Sequence, residues 1–262
     1  MTLKNGRGTT GSGLPSLTGR IVLVTGGARG IGRSVTETLS AAGAEVIIHF
    51  NTSRKEAMRL QSSLKSARKN HVVEANLSET GGIEKLAEEV AGITDSLDGL
   101  VNNAGIYAGP ALEDTRFGEW DSVLNTNLRS QIFLIKMLAA NLRKASGSVV
   151  NISSIMGVSA SPGAYAYQAS KSALVHLTRG LALELAPHVR VNCVAPGFIR
   201  TDINREGWKD VSFSRTVIES TPLRRWGETV DIAGTVRFLL SGDASFITGQ
   251  TILVDGGKSL VG

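Results

Sequence analysis

Short apolar runs alternate along the chain with longer segments in which apolar residues recur every three or four positions. The short runs are rich in Val, Ile and Leu and end at Gly, Asn or Ser, which is typical of buried strands. The longer segments are typical of amphipathic helices. Strands are predicted at 20–27, 45–50, 71–77, 97–105, 147–154, 189–197 and 250–257. Strands that alternate with helices indicate parallel βαβ units with right-handed crossovers.

We therefore predict an α/β fold, a single Rossmann-type doubly wound sheet of seven parallel strands with helices on both faces. Its main helices are predicted at 29–43, 54–69, 82–92, 114–143 and 162–186. The domain is predicted to span residues 18–262, after a polar, glycine-rich tail at 1–17 that lacks the apolar centre of a secretion signal. An insertion at about 198–228 is predicted to be a lid or substrate loop; a plain surface helix with connectors is the alternative.

Composition and charge favour some functions over others. The 262 residues are 42% hydrophobic and 19% charged, as in a soluble globular protein, and no apolar run is long enough to cross a membrane. The net charge of +5 is scattered, which suits an anionic small molecule better than nucleic acid. The single cysteine, Cys193, cannot form an internal disulfide, and the four histidines lack metal-ligand spacing. We expect a cytoplasmic protein without a metal site.

A glycine-rich turn, "TGGARGIG", follows the first strand and opens the first helix. Its glycines, Gly26, Gly30 and Gly32, let the chain turn tightly, admit a pyrophosphate to the backbone and pack the helix on the sheet. Their spacing differs from the common G-x-G-x-x-G fingerprint, but the physical requirements are the same. The turn predicts a dinucleotide site.

The region after the second strand indicates which dinucleotide binds. NAD sites usually place an acidic residue there for the ribose 2′-hydroxyl, and this chain has Phe50 instead. Arg29 and Arg54 are available to pair with a 2′-phosphate, with Thr52 and Ser53 beside them. NADP(H) is therefore the predicted cofactor; the alternative is that both arginines are merely solvated.

The segment "AYAYQASKSA", residues 164–173, places Tyr167 and Lys171 four positions apart on a predicted helix. They share one face, and Tyr165 lies on another. Taken alone, this spacing also fits a partly buried aromatic residue with a solvated lysine nearby.

Seven motifs occur in a fixed order: "TGGARGIG", "NNAG" at 102–105, "NTNL" at 125–128, "ISS" at 152–154, "YQASK" at 167–171, "APGFIRTD" at 195–202 and "FITGQTILVDGG" at 246–257. Over residues 18–258 the chain thus resembles the short-chain dehydrogenase/reductase family. Within that family, "TPLRRWGE" at 221–228 and the ending resemble the 3-oxoacyl-[acyl-carrier-protein] reductase group.

The resemblance implies four catalytic residues. Tyr167 would be the acid/base, its pKa lowered by the Lys171 ammonium and by the oxidised nicotinamide ring. Lys171 would also bind the nicotinamide ribose. Ser154 would hydrogen-bond the substrate carbonyl oxygen, and Asn127 would hold a water that links Lys171 to solvent.

The resemblance also implies which residues contact the cofactor. One departure from the family is Asn76, where an aspartate usually accepts a bond from adenine. The complete set is Gly26, Arg29, Gly30, Ile31, Gly32, Asn51, Thr52, Ser53, Arg54, Asn76, Leu77, Asn103, Ala104, Gly105, Tyr167, Lys171, Pro196, Gly197, Ile199 and Thr201.

The predicted function is NADPH-dependent reduction of a ketone to a secondary alcohol, with Tyr167 as the acid. A 3-oxoacyl thioester linked to a carrier protein or CoA is one substrate; Arg143, Lys144 and His188 would face an acidic carrier or be solvated helix ends. Secondary-alcohol, sugar or steroid dehydrogenases and a secondary-metabolism ketoreductase are alternatives within the family, and a non-catalytic NADP-binding regulator is one outside it. A homotetramer is expected, with a dimer as the alternative, and no nucleic-acid or membrane partner.

Overall fold

Every predicted strand is present, and all seven join one parallel sheet. The structure, a computed structural model, describes residues 16–64 and 69–261. The strands are β1 Ile21–Val24, β2 Glu45–Phe50, β3 His71–Glu74, β4 Gly99–Asn102, β5 Ser148–Ile152, β6 Arg190–Pro196 and β7 Thr251–Val254. Their order is β3-β2-β1-β4-β5-β6-β7, so the direction of winding reverses between β1 and β4. Sheets of this kind bind ligands at that reversal.

Nine α-helices occur within the described residues, and the longer ones cover both faces of the sheet. They are α1 Gly30–Ala41, α2 Arg54–Ser63, α3 Thr80–Ile93, α4 Phe117–Leu124, α5 Ser130–Ala145, α6 Tyr165–Leu185, α7 Arg205–Lys209, α8 Val211–Glu219 and α9 Thr229–Leu240. Helices α1 and α9 pack together on one face, and α3 packs against α5 on the other. The end of the predicted helix 54–69 lies partly outside the described residues.

Alternation along each strand divides the core into two layers. In β1, Val22 and Val24 join the layer under α1 and α9, whereas Leu23 joins the layer under α3, α5 and α6. Successive side chains of a strand point to opposite faces, so a strand covered on both sides is apolar throughout. This is why the strands appear in the sequence as continuous apolar runs.

The predicted helix at 114–143 is wrong in two respects. It begins only at Phe117, and residues Asn125–Arg129 form a π-helical turn between α4 and α5. A π turn holds one residue more than an α turn, and such turns occur frequently at functional sites. Asn127, one of the predicted catalytic residues, lies within it.

The predicted boundary between tail and domain also needs a correction. Leu17 is buried in the first core layer, and its backbone N–H donates to the carbonyl of Ala42. It therefore belongs to the folded domain. Residues 1–15 of the predicted tail lie outside the described residues, so its flexibility stays a prediction.

The insertion at 198–228 contains two helices, α7 and α8, held by an aromatic cluster. The Phe198 ring meets Phe213 edge-on at 6.1 Å and Trp226 at 5.6 Å between centroids. Trp226 is buried, and its indole N–H donates to the hydroxyl of Ser214. The cluster fixes this segment beside the end of β6; that it acts as a lid stays a prediction.

A buried histidine joins the ends of three strands. The Nδ1 atom of His49 accepts from the N–H of Gly26 at 3.0 Å, so Nε2 carries the proton and donates to Ala75 O at 3.1 Å. Burial of the ring lowers the pKa of His49 from 6.5 to about 4. The glycine-rich turn after β1 is thus held by a neutral imidazole on β2.

Acid should weaken the fold through this histidine. A lowered pKa means that the unfolded chain binds the proton first, so stability is lost as pH falls from 6.5 towards 4. This shift of the His49 pKa corresponds to a loss of roughly 3 kcal/mol in the free energy of unfolding. In urea unfolding at pH 7 and pH 4.5, His49→Asn should lose less stability on acidification than the parent chain.

The matched control is His176→Asn, which removes an exposed imidazole. It should keep the pH dependence of the parent. Equal pH dependence in His49→Asn and His176→Asn would mean that His49 does not resist protonation in the folded state.

Candidate active site

Three glycines of the turn, Gly26, Gly30 and Gly32, stand where a side chain would be strained or would clash. Gly26 and Gly30 have φ values of +61° and +52°, which favour glycine. A Cβ on Gly32 would lie 2.1 Å from the carbonyl oxygen of Gly26. This close approach leaves the first backbone N–H groups of α1 at the carboxyl edge of the sheet, where a helix N-terminus favours a phosphate.

Asn103 links this turn to the end of β4. Its Nδ2 donates to Thr25 O at 2.9 Å and to Gly26 O at 3.2 Å. The hydroxyl of Thr25 accepts from the N–H groups of Asn103 and Ala104 at 2.9 and 3.0 Å. The structure therefore brings Asn103 and Ala104 against the glycine turn, next to Gly105.

The ends of β2 and β3 also meet. Asn51 Nδ2 lies 3.4 Å from Asn76 Oδ1, and Leu77 is buried beside them. Asn76 Oδ1 already accepts from the N–H and the hydroxyl of Ser78, while its Nδ2 donates to Glu79. The oxygen expected to accept from adenine is thus occupied by its own turn.

Arg54 has a partner that sequence reasoning did not identify. Its guanidinium pairs with the carboxylate of Glu74, the last residue of β3, and lies 5.8 Å from the centroid of the Phe50 ring. The side chain remains 71% exposed, and Arg29, Thr52 and the N-cap Ser53 stand on the same edge. In the register of β2 and β3, Phe50 lies opposite Glu74. Knowledge of this register would have predicted that Glu74 comes close to Arg54.

The segment after β6 approaches the glycine turn from the other side. Pro196 pairs with Val254 of β7, and Gly197 leaves room for Asp255, whose Cα would lie 2.7 Å from a Cβ there. Ile199 is buried. A Cβ on Gly30 would lie 3.7 Å from the Thr201 side chain.

Thr201 is held in place by its own segment. Its N–H and hydroxyl both donate to Asn204 Oδ1 at 3.0 Å, and Trp208 donates to its carbonyl. Thr201 thus lies next to Gly30 with its position fixed. The side chain of Ile31 packs against the first core layer, and a contact of Ile31 with the cofactor stays a prediction.

The two serines that follow β5 have different roles. Ser154 begins the 3₁₀ turn Ile155–Gly157, and its hydroxyl accepts from Met156 N at 3.1 Å and hydrogen-bonds Tyr167. The hydroxyl of Ser153 instead donates to the carbonyl of Lys171 at 2.9 Å. Ser154 therefore faces the tyrosine, and Ser153 fastens the turn to α6.

Lys171 is a buried ammonium beside the tyrosine. It is only 4% exposed, and its Nζ donates to Ile152 O at 2.8 Å. The same Nζ lies 5.7 Å from the centroid of the Tyr167 ring. Burial lowers the pKa of Lys171 from 10.5 to about 8. The group is still mostly protonated at neutral pH.

Among the chain's own groups, burial outweighs the predicted lowering of the Tyr167 pKa. Burial dominates and raises the pKa of Tyr167 above 10, against the opposing hydrogen bond from Ser154. Tyr167 is therefore a protonated phenol at neutral pH. That is the state a proton donor requires.

Asn127 is committed to the backbone of the loop after β4. Its Oδ1 accepts from Ile106 N at 2.8 Å, and its Nδ2 donates to Ile106 O at 2.9 Å and approaches Ser170 Oγ at 3.4 Å. A Cβ on Gly105 would lie 3.2 Å from Asn127 Oδ1 and 3.7 Å from Lys171 Nζ. The side chain thus positions this loop beside Lys171; its part in a water relay stays a prediction.

Tyr107 was missed by sequence reasoning. Its ring meets the Tyr167 ring at 5.1 Å between centroids and 72° between planes. No signal in the sequence distinguishes it from an ordinary loop aromatic, because the contact joins residues sixty positions apart.

Other candidates lie away from this edge. Arg143, Lys144 and His188 precede β5 and β6, at the amino edge of the sheet, and Lys144 pairs with Asp95. Cys193 is buried, and burial raises the pKa of its thiol to about 11, which confirms it as a core residue. Across residues 16–64 and 69–261, no cluster of potential metal ligands exists.

The arrangement offers proton donation next to a dinucleotide cradle. A neutral phenol and a serine hydroxyl converge within reach of one acceptor oxygen, and a cation lies behind the phenol. The close packing of Gly32 on Gly26 holds the beginning of α1 at the edge of the sheet, where its backbone N–H groups fit a pyrophosphate. Together these groups can protonate a carbonyl oxygen next to the site where a nicotinamide would be held.

The glycine cradle can be tested by adding one methyl group. Gly32→Ala should lose about 1–3 kcal/mol of unfolding free energy through overpacking. It should also bind NADPH at least tenfold more weakly, since the turn must open. Urea unfolding and a fluorescence titration with NADPH measure both.

Gly234→Ala is the control, because a Cβ at that position in α9 meets nothing within 4 Å. It should keep NADPH affinity and gain up to about 1 kcal/mol from helix propensity. Equal stability and affinity in the two variants would contradict the packed turn.

Comparisons with known proteins agree with this geometry. The family model described as enoyl-(acyl carrier protein) reductase matches residues 26–259. The chain is 39% identical over 238 residues to 3-oxoacyl-[acyl-carrier-protein] reductase FabG of Staphylococcus epidermidis, covering 90% of this chain and 97% of that protein. It is 38% identical over 244 residues to FabG of Aquifex aeolicus, covering 92% and 98%.

Solved structures with the same fold include NADP complexes. The RhlG/NADP active-site complex of Pseudomonas aeruginosa has a TM-score of 0.87 and 36% identity, covering 93% of this chain and 98% of that one. A gluconate 5-dehydrogenase from Burkholderia cenocepacia in complex with NADP and tartrate has a TM-score of 0.88 and 29% identity, covering 94% and 98%. With the sheet order, the glycine turn and the Ser154–Tyr167–Lys171 geometry, these matches establish that the chain belongs to the short-chain dehydrogenase/reductase family.

Proposed function

We propose that this protein is an NADPH-dependent ketoreductase that converts a 3-oxoacyl thioester into the 3-hydroxyacyl thioester. It is an oxidoreductase that acts on CH–OH and C=O groups, as its family does. The observation that carries the proposal is the neutral Tyr167 phenol, hydrogen-bonded to Ser154 and adjacent to the buried Lys171 ammonium. These groups supply a proton and a polarising hydroxyl to one oxygen.

The chain's own residues account for the proton side of the reaction. Ser154 would donate its hydroxyl hydrogen bond to the substrate carbonyl oxygen, and Tyr167 would deliver its proton to the same oxygen. The Lys171 ammonium then stabilises the phenolate that remains. Nicotinamide, when bound, supplies the hydride.

NADP(H) is supported by charge at the end of β2. Phe50 stands where an acidic residue would select NAD, and Arg29 and Arg54 lie on the same edge. The Pseudomonas RhlG and Burkholderia gluconate 5-dehydrogenase structures are NADP complexes. Glu74 is a competitor for Arg54, so a 2′-phosphate must share or displace that ion pair.

An acyl substrate is supported by the apolar residues exposed near Tyr167 and Thr201. Ile106 and Leu112 are exposed on the loop after β4, and Ile203 and Phe213 on the segment after β6. Exposed apolar patches beside a catalytic group are typical of ligand sites. They fit an acyl chain better than the polyhydroxy acid that gluconate dehydrogenases in this fold take.

The carrier of the acyl group is proposed to be CoA or acyl carrier protein, as in the name of the FabG relatives. Arg143, Lys144 and His188 do not decide between them, because they lie at the sheet edge opposite to Tyr167 of the same chain.

A homotetramer and a cytoplasmic location also stay predictions. Phe133 and Met137 are exposed one turn apart on α5, and Leu177 and Leu183 on α6, which supports association through these helices. No helix within the described residues meets the length and hydropathy needed to span a membrane.

Removal of the proposed acid should abolish turnover. Tyr167→Phe should reduce acetoacetyl-CoA at least about 100-fold more slowly than the parent while its NADPH affinity changes less than threefold. Loss of NADPH absorbance measures the rate, and fluorescence measures binding. Tyr165→Phe, on another face of α6, should keep full activity.

The substrate panel separates the candidate reactions. Acetoacetyl-CoA and acetoacetyl-carrier protein should be reduced, and crotonyl-CoA and 5-ketogluconate should not. If NADPH is consumed only with crotonyl-CoA, the protein is an enoyl reductase and the proposal of ketoreduction is wrong. If NADPH is consumed only with 5-ketogluconate, the substrate is a sugar acid and the proposal of an acyl substrate is wrong.

Cofactor preference should depend on Arg54. Arg54→Ala should raise KM for NADPH about three- to tenfold and leave KM for NADH unchanged, since an exposed pair to phosphate is partly screened. Glu74→Gln should lower KM for NADPH because it frees the guanidinium. Initial rates with both cofactors measure the two effects.

Lys55→Ala removes an exposed positive charge from the neighbouring position and is the control. It should change the NADPH/NADH ratio less than twofold. A ratio that Arg54→Ala leaves at the parent value would contradict this assignment of the 2′-phosphate site.

A further inference from the structure

The loop after β4 is fixed on both sides of Tyr107. The Asn127 side chain holds both backbone polar groups of Ile106 at 2.8 and 2.9 Å. Three residues beyond Tyr107, Pro110 O accepts from the N–H of Ala164, the residue just before α6, at 3.0 Å. The loop is therefore anchored to the π turn and to the beginning of the helix that carries Tyr167.

The backbone at the second anchor is unusual. Gly163 and Ala164 have φ values of +76° and +52°, and a Cβ on Gly163 would lie 3.3 Å from Pro110 O. Ala164 is buried in this left-handed conformation, which non-glycine residues rarely adopt. The strained start of α6 directs an N–H group at the loop and keeps the loop against the helix.

Between these two anchors, the Tyr107 ring packs against the backbone of Gly109. A Cβ on Gly109 would lie 2.5 Å from the Tyr107 hydroxyl and 2.8 Å from two of its ring carbons. Glycine at 109 thus lets the ring fold back over the loop. The ring then meets Tyr167 edge-on, the arrangement that aromatic pairs favour.

Tyr107 is also 53% exposed, so one side of its ring covers Tyr167 and the rest faces solvent. It contributes to the raised pKa of Tyr167, although burial is the larger cause. A ring in this place covers one side of the phenol against water and restricts its rotation. Neither effect requires Tyr107 to contact the substrate.

We propose that Tyr107 is a positioning residue, whose ring, held over Gly109 by the two loop anchors, orients and shields the Tyr167 phenol for proton transfer. The proposal rests on the proposed function of Tyr167 as the acid. Tyr107 would act only through its effect on Tyr167. This effect would come from the aromatic ring of Tyr107 and not from its hydroxyl.

The central test compares two substitutions of Tyr107. Tyr107→Ala should lower kcat for acetoacetyl-CoA about tenfold, the equivalent of ~1.4 kcal/mol in the transition state, with NADPH affinity unchanged. Tyr107→Phe keeps the ring and should retain kcat within twofold. Phe117→Ala, which truncates an aromatic side chain that is 92% exposed at the end of the same loop, should behave as the parent.

The pH profile provides a readout that a purely structural role would not move. Water admitted by Tyr107→Ala lowers the pKa of Tyr167, so the alkaline loss of reductase activity should begin at lower pH than in the parent. In Tyr107→Phe the profile should stay close to that of the parent. Gly109→Ala, which displaces the ring without removing it, should reproduce the Tyr107→Ala profile.

The outcomes separate the two claims. Turnover that persists in Tyr167→Phe would overturn the proposed function itself. An inactive Tyr167→Phe with a parent-like kcat and pH profile in Tyr107→Ala would overturn only the role of Tyr107. A change confined to KM for larger 3-oxoacyl thioesters would also overturn it, because Tyr107 would then be a wall of the substrate site.

Discussion

The active site depends on keeping one ammonium group buried. An isolated charge is costly to remove from water, and Lys171 compensates with a direct hydrogen bond to the carbonyl of Ile152 at the end of β5. This bond requires α6 to lie close to the strand. Ser153 secures the approach through the carbonyl of Lys171, and Gly157 is needed because a Cβ there would lie 2.8 Å from the same carbonyl oxygen. The position of Tyr167, one helical turn earlier, follows from these contacts.

Burial has opposite effects on the two catalytic groups, and both effects suit reduction. It raises the pKa of Tyr167, so the phenol keeps its proton, and it lowers the pKa of Lys171 only to about 8, so the amine keeps its charge. The two groups are therefore an acid and a cation at neutral pH. In a more polar site, the pKa of the lysine would be higher and the pKa of the tyrosine lower. The two groups would then influence each other less, because charges interact more weakly at a higher dielectric constant.

The sheet and its helices were predictable because the central strands are apolar on both faces and the main helices on one. The residues at strand ends were predictable as motifs, and Asn103 and Thr201 do border the glycine turn. Three features were not predictable. The pairing of Glu74 with Arg54 depends on strand register, the contact of Tyr107 with Tyr167 depends on loop conformation, and the π turn has no period of its own in the sequence. Spacing also gives the distance from Tyr167 to a charge but not the extent of its desolvation, which raises the pKa of Tyr167 among the chain's own groups; the expected effect of the oxidised nicotinamide ring stays a prediction.

The π turn at Asn125–Arg129 changes how the helices on either side of it are interpreted. One inserted residue rotates everything after it by about 100°, so apolar positions in α4 and α5 that belong to one surface fall out of phase in the sequence. The stretch "VLNTNLRSQIFLIKMLAANL" at 123–142 spans this turn, with Val123 buried before it and Leu134 and Leu138 buried after it. Phe133 and Met137 lie wholly after the turn and remain exposed, so they are the part of that stretch that is free to meet another protein.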